Sequence, residues 1–183
     1  MSHDPEITAA SARLLQAGRR LAGRSGAAHF DRTDICDEAG LPPETVDAAF
    51  GDYARFECAL LGALLDDVRD TVARVTTNMA PGIPRLKLSI ETYLESSLMQ
   101  PAISAMARRH RNSRSGEAVL RARIAGFTLM MELELCAIGW PHPSETAQLF
   151  TQVVLDIAAA EAEARRRQLG LREVLFGYFR SGP

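Results

Sequence analysis

Apolar residues recur at three- and four-residue spacing over most of this chain, between glycine, proline and polar breaks. That period marks one face of an α-helix. It predicts a first helix from about Asp4-Pro5 to Arg24, with Ile7, Leu14, Leu15, Gly18 and Leu21 inward. Arg13, Arg19, Arg20 and Arg24 take the outer face, and Gly26 ends the helix. Between Asp31 and Phe56 (DRTDICDEAGLPPETVDAAFGDYARF) the pattern contracts into two brief helices. Asp31 is placed to cap the first, whose inner face holds Ile35, Cys36 and Ala39. Gly40 falls where the chain must turn, since a residue without Cβ leaves a helix at little cost. Pro42-Pro43 blocks continuation and starts the next helix, with Val46 and Phe50 four apart on its buried face. A pair of short helices around a glycine turn is the helix-turn-helix plan, whose second helix enters a DNA major groove.

From Asp52 a long helix carries Phe56, Leu60/Leu61, Leu64/Leu65, Val68, Val72 and Val75 on one face until Pro81-Gly82-Ile83-Pro84 stops it. Further helices are expected at about 84–98, 101–109, 116–138, 145–168 and 171–180. The 116–138 helix is apolar on most of its circumference, which predicts burial on several sides. No segment alternates with the two-residue period of a strand. The expected fold is all-α, with about nine helices.

A resemblance follows from particular residues. Ala39-Gly40-Leu41, Thr45-Val46, Phe50 and Phe56 ahead of a leucine-rich helix resemble the tetracycline-repressor (TetR) family of one-component regulators. The likeness covers the first third of the chain by motif and the rest by helix layout. It implies a DNA-binding domain over residues 1–52 and a ligand-binding and dimerisation domain over 53–183, linked by the fourth helix. It also implies a homodimer on a pseudo-palindromic double-stranded operator and a small-molecule effector. DNA contacts are expected from Arg32, Thr33 and Tyr53, and from Pro43, Glu44, Thr45, Asp47 and Ala48 around the recognition helix. The polar positions depart from the family pattern. Asp47 stands where a tyrosine is usual, Ala49 replaces a histidine, Tyr53-Ala54 replaces lysine-glutamate, and Pro42 takes the place of a serine or threonine cap.

Tyr93, Met99, Met106, Phe127, Met130 and Met131 fall on helices that surround the ligand in the family. Adaptable methionines and flat aromatics suit a small apolar effector, with Glu132 and Glu134 as candidate polar contacts. The last two helices carry more apolar surface than one packing stripe needs. Phe150, Val153, Val154 and Ile157 on one, with Val174, Leu175 and Tyr178 on the other, are expected to form a two-fold four-helix dimer contact.

Charge complicates the DNA reading. Through Arg55 the chain holds six arginines against nine acidic residues, a net charge of about −3 in the part that should approach a polyanion. Glu44 and Asp47 lie on the recognition helix itself. Weak or atypically selective DNA binding is therefore expected. The rival reading is a TetR-fold ligand- or protein-binding module that has lost operator binding.

Other chemistry finds no foothold. GxSxG, HExxH, P-loop and GxGxxG patterns are absent, so neither enzyme, cofactor nor metal is expected. No apolar run reaches the roughly 18 residues of a membrane span, and the first residues do not read as a signal peptide. Cys36, Cys58 and Cys136 lie far apart in apolar stretches, which fits buried thiols in the cytoplasm. His3, His29, His110 and His142 lack ligand-like spacing and are expected to be largely exposed. The run Arg108–Arg114 reads as a solvated loop, and Arg165-Arg166-Arg167 as cations at a helix C-terminus with no need of a partner.

Overall fold

A computed structural model describes residues 5–24 and 29–181. Asp4, His3 and Gly26 lie outside that range. Among the described residues there are nine α-helices and no strand: α1 Pro5–Ala22, α2 Arg32–Ala39, α3 Glu44–Phe50, α4 Tyr53–Thr76, α5 Ile83–Met99, α6 Pro101–His110, α7 Arg114–Ala137, α8 Pro143–Ala164 and α9 Leu169–Ser181. The helices divide into two compact units, one of Met1–Asp66 with Met99–Leu120 and the other of Asp67–Leu98 with Arg121–Pro183. The α6 helix and the start of α7 belong with α1–α3 and the first part of α4.

In the first unit, local chemistry fixes each turn. Asp31 and Asp34 form a reciprocal capping box at the start of α2: each side chain accepts a hydrogen bond from the other's backbone N–H, at 3.0 and 2.8 Å. Gly40 closes α2 in the left-handed conformation (φ 62°), where a Cβ would be strained. Arg13 reaches across from α1 and donates to the carbonyls of Ala39 and Gly40, at 2.8 and 3.3 Å, satisfying the end of α2. Asp52 caps α4 by accepting from the Arg55 N–H at 2.7 Å. Leu14, Ala17, Ile35, Val46, Phe56, Leu60 and Leu61 are fully buried. Ile7, expected inward, is exposed, so the buried stripe of α1 begins about two turns later.

Two buried polar residues, Glu57 and His110, join α4 to the end of α6 together with the exposed Arg109. Glu57, on the first turn and a half of α4, accepts from Arg109 at 2.5 Å and from His110 Nε2 at 2.9 Å. Arg109 also donates to His29 Nδ1 at 3.2 Å. Glu57 and His110 are both buried. This corrects two expectations: His110 is not a surface histidine, and the start of the Arg108–Arg114 run is the last turn of a docked helix. The turn after it is tight, because a Cβ on Gly116 would lie 2.4 Å from the His110 carbonyl oxygen.

The second unit packs α5, α7, α8 and α9 around Leu86, Ile90, Leu94, Met131, Leu135, Phe150, Val154, Ile157 and Phe179. Trp140 and Phe150 both lie against the rings of Tyr178 and Phe179, at 4.6–6.1 Å between centroids. The core is closed by an ion network. Arg172 donates to the two oxygens of Glu161 at 2.6 and 2.5 Å and to Glu95 at 2.5 Å, while Arg167 holds Glu95 from its other side at 2.9 Å. Arg167 thus has a partner, contrary to the dipole reading of its triplet. The helix has already ended at Ala164, and Arg165 turns the chain in the left-handed region. The α7 helix, expected to be buried on several sides, leaves Leu129 and Leu133 exposed. Cys136 on the same helix is exposed, whereas Cys36 and Cys58 are buried as expected.

Candidate nucleic-acid interface

The helix-turn-helix is built from α2 and α3. Val46 faces inward and is wholly buried, which turns the rest of the α3 surface to solvent. Pro43, Glu44, Asp47 and Ala48 are exposed and Thr45 is half-buried. Thr33 is exposed at the start of α2, and Arg32 and Tyr53 are half-buried beside it. The residues expected to touch DNA therefore occupy surface positions on or beside the short helix pair.

Electrostatically the surface is turned in on itself. Arg32 donates from both terminal nitrogens to the two Asp47 oxygens, at 2.8 and 2.9 Å. Its guanidinium also lies 5.8 Å from the centroid of the Tyr53 ring. The Tyr53 hydroxyl donates to the Phe30 carbonyl at 3.1 Å, and its ring stacks near Phe56 at 5.6 Å. The Arg32 hydrogen bonds hold the Asp47 carboxyl below its usual range, and Asp47 in return raises Arg32. Burial, with Glu57 nearby, pushes the Tyr53 phenol well above its ordinary value.

The other arginines of this region are similarly committed. Arg20 donates to Glu38 at 2.6 Å, and Arg24 bonds the second Glu38 oxygen. These bonds, that of Arg20 foremost, keep Glu38 below the usual carboxylate range. Arg55 sits 3.7 Å from Asp52. A shallow cleft of about 340 Å³ is lined by Leu21, Arg24, Asp34, Asp37 and Glu38, and it is an acidic wall, not a phosphate cradle.

No family model and no curated protein matches this sequence. Solved structures do match in fold. A transcriptional regulator from Rhodococcus sp. is 18% identical with a TM-score of 0.75, covering 93% of this chain and 96% of its own. A second Rhodococcus protein, described as a TetR-family transcriptional regulator, is 16% identical with a TM-score of 0.72, covering 96% and 98%. The TetR-family repressor AlkX from Dietzia sp., implicated in n-alkane biodegradation, is 18% identical with a TM-score of 0.52, covering 94% and 97%. The chain has the TetR fold.

Within the TetR fold the other expected site residues separate. Tyr93 and Phe127 stack at 5.3 Å in the second unit, against a core that includes the fully buried Met131. Burial raises the Tyr93 phenol, which is hydrogen-bonded to Ser97. Met130 is half-buried. Met106 is buried within the first unit, and Met99 is 69% exposed as the last residue of α5 before the Gln100-Pro101 break. Glu134, a suggested polar ligand contact, is saturated by Arg85 at 2.5 Å and by the Gly82 N–H at 3.0 Å.

The expected dimer residues also divide. Phe150, Val154, Ile157 and Leu175 are buried in the core of the second unit, and Val153 is half-buried against that core. Val174 and Tyr178 on α9 remain 76% and 52% exposed, and Leu149 on α8 and Leu171 on α9 are exposed as well. The double-width apolar pattern thus resolves into one stripe for the core and one for solvent. No described helix is long and apolar enough to cross a membrane, and no cluster of metal-ligating side chains occurs among the described residues.

Proposed function

We propose that this chain is a DNA-binding transcriptional regulator, acting as a cytoplasmic homodimer and most simply as a repressor released by a small apolar effector. The observation that carries the reading is the complete helix-turn-helix: a capped α2, a left-handed glycine turn, and an α3 with one buried anchor and an outward row of Glu44, Thr45, Asp47 and Ala48. The n-alkane association of one fold neighbour supports an apolar effector, as do Tyr93, Phe127, Met130 and Met131 in the second unit. For release, the effector must bind one conformation of the dimer better than another, since equal affinity shifts nothing.

Incubating the purified protein with the DNA that flanks its own gene, and resolving the mixture by gel shift, tests the reading. A discrete complex that outlasts excess unrelated DNA is the expected result. Its absence at micromolar protein would transfer support to the second reading, a TetR-fold module that binds a ligand or protein and no operator. That reading is favoured by the acidic balance of the first 55 residues and by the internal pairing of Arg20, Arg24 and Arg32.

A further inference from the structure

Resting on the DNA-binding reading, we propose that the Arg32–Asp47 pair is an autoinhibitory clasp, in which the recognition helix itself occupies the cation that would otherwise meet a phosphate. Arg32 is the first residue of α2 and Asp47 lies in the middle of α3, so the pair bridges the two helices on the face that DNA would approach. A carboxylate engaged through both oxygens by both terminal nitrogens reproduces the fork geometry with which arginine takes a phosphate. Asp47 is thus a built-in phosphate mimic.

Two features hold the clasp shut before DNA arrives. The Tyr53 ring lies under the guanidinium, and that ring is itself fixed by its hydroxyl bond to Phe30 and by Phe56. Arg32 therefore cannot swing freely toward solvent as a surface arginine does. Yet the pair is not buried: the side chains are 36% and 50% exposed, so a phosphate can displace Asp47 without entering a core. Each phosphate contact withheld removes about 0.9 from the slope of log affinity against log salt.

The test is a double-mutant cycle on non-specific DNA binding. Wild type, Asp47→Asn, Arg32→Gln and the double variant are titrated onto a fluorescent 30-base-pair duplex of mixed sequence at several salt concentrations. Circular dichroism and melting temperature confirm that each is folded. The clasp predicts that D47N tightens binding about tenfold and steepens the salt slope by roughly 1 per reading head. The same substitution in the R32Q background gains no more than about threefold, because only one repelling charge is then removed. Equal gains in both backgrounds would overturn the clasp and leave simple repulsion by Asp47. If D47N binds no better than wild type while wild type binds DNA, the clasp fails and the regulator reading stands. If no variant, D47N included, binds the duplex at low salt, both fail together.

Discussion

Removing Arg172 tests the energetic account of the second unit most directly. Glu161 has no solvent exposure, and its charge is met by two Arg172 bonds and one from the Gln168 N–H. Arg172→Met keeps most of the side-chain volume and leaves Glu161 with the single backbone donor. Stranding a buried carboxylate this way costs about 3–5 kcal/mol. The total stability of a domain is only about 5–15 kcal/mol, so the loss is a large fraction of it. At about 2–4 °C per kcal/mol for a chain of this size, the melting temperature should fall by roughly 6–20 °C. The companion variant Glu161→Leu/Arg172→Met removes both charges and should recover to within about 1 kcal/mol of wild type, because an apolar pair of similar volume replaces the desolvated ions. Urea denaturation followed by circular dichroism reads all three proteins. A loss below about 1 kcal/mol for R172M, or a double variant as unstable as the single one, would refute this reasoning.

The same network should make stability fall in acid. Burial alone would raise Glu95, but its bonds to Arg172 and Arg167 outweigh that and hold the carboxyl below its ordinary 4.5. A carboxylate depressed in the folded state stabilises fully above the unfolded value and ceases to do so as pH falls through the folded one. The urea midpoint should therefore be level near neutrality and decline below about pH 4.5, less steeply in R172M. Gly116→Ala should cost about 1–3 kcal/mol by forcing the α6–α7 turn off the His110 carbonyl. Its control, Gly126→Ala, meets nothing within 4 Å and should be neutral or stabilising by up to about 1 kcal/mol. For the proposed homodimer, Val174→Asp leaves the core of the second unit untouched, so light scattering should show monomers with wild-type helicity; an unchanged dimer would place the interface elsewhere.

Helices were legible because burial on one side imposes a 3.6-residue period that charge and loops do not share. The Asp31 cap and the Gly40 turn were equally legible, since few residues satisfy those backbone demands. What escaped is pairing over distance. Glu57 sits between Phe56 and Cys58 on the buried side of α4, a carboxylate where the pattern calls for an apolar residue, and its partners are 52 and 53 residues away. Arg109 and His110 looked like a solvated basic run because a charge count does not reveal which side chain has a buried partner. The apolar width of α7 pointed to burial on several sides. It did not tell Leu129, which faces solvent, from Met131, which is wholly buried.

The Glu57 contacts also bear on the order in which the protein can be made. The unit that carries the helix-turn-helix is discontinuous in sequence, with its second piece beginning only at Met99. As the chain leaves the ribosome, α1 to α3 emerge first, but Glu57 must wait for Arg109 and His110. Synthesis at about 5–20 residues per second makes that wait a matter of seconds. During it the nascent helix-turn-helix holds an unpaired carboxylate on the side of α4 that is destined to be buried. The helix-turn-helix is thus completed late, and a chain stopped before residue 110 would present α1 to α3 without the contact that joins the end of α6 to α4.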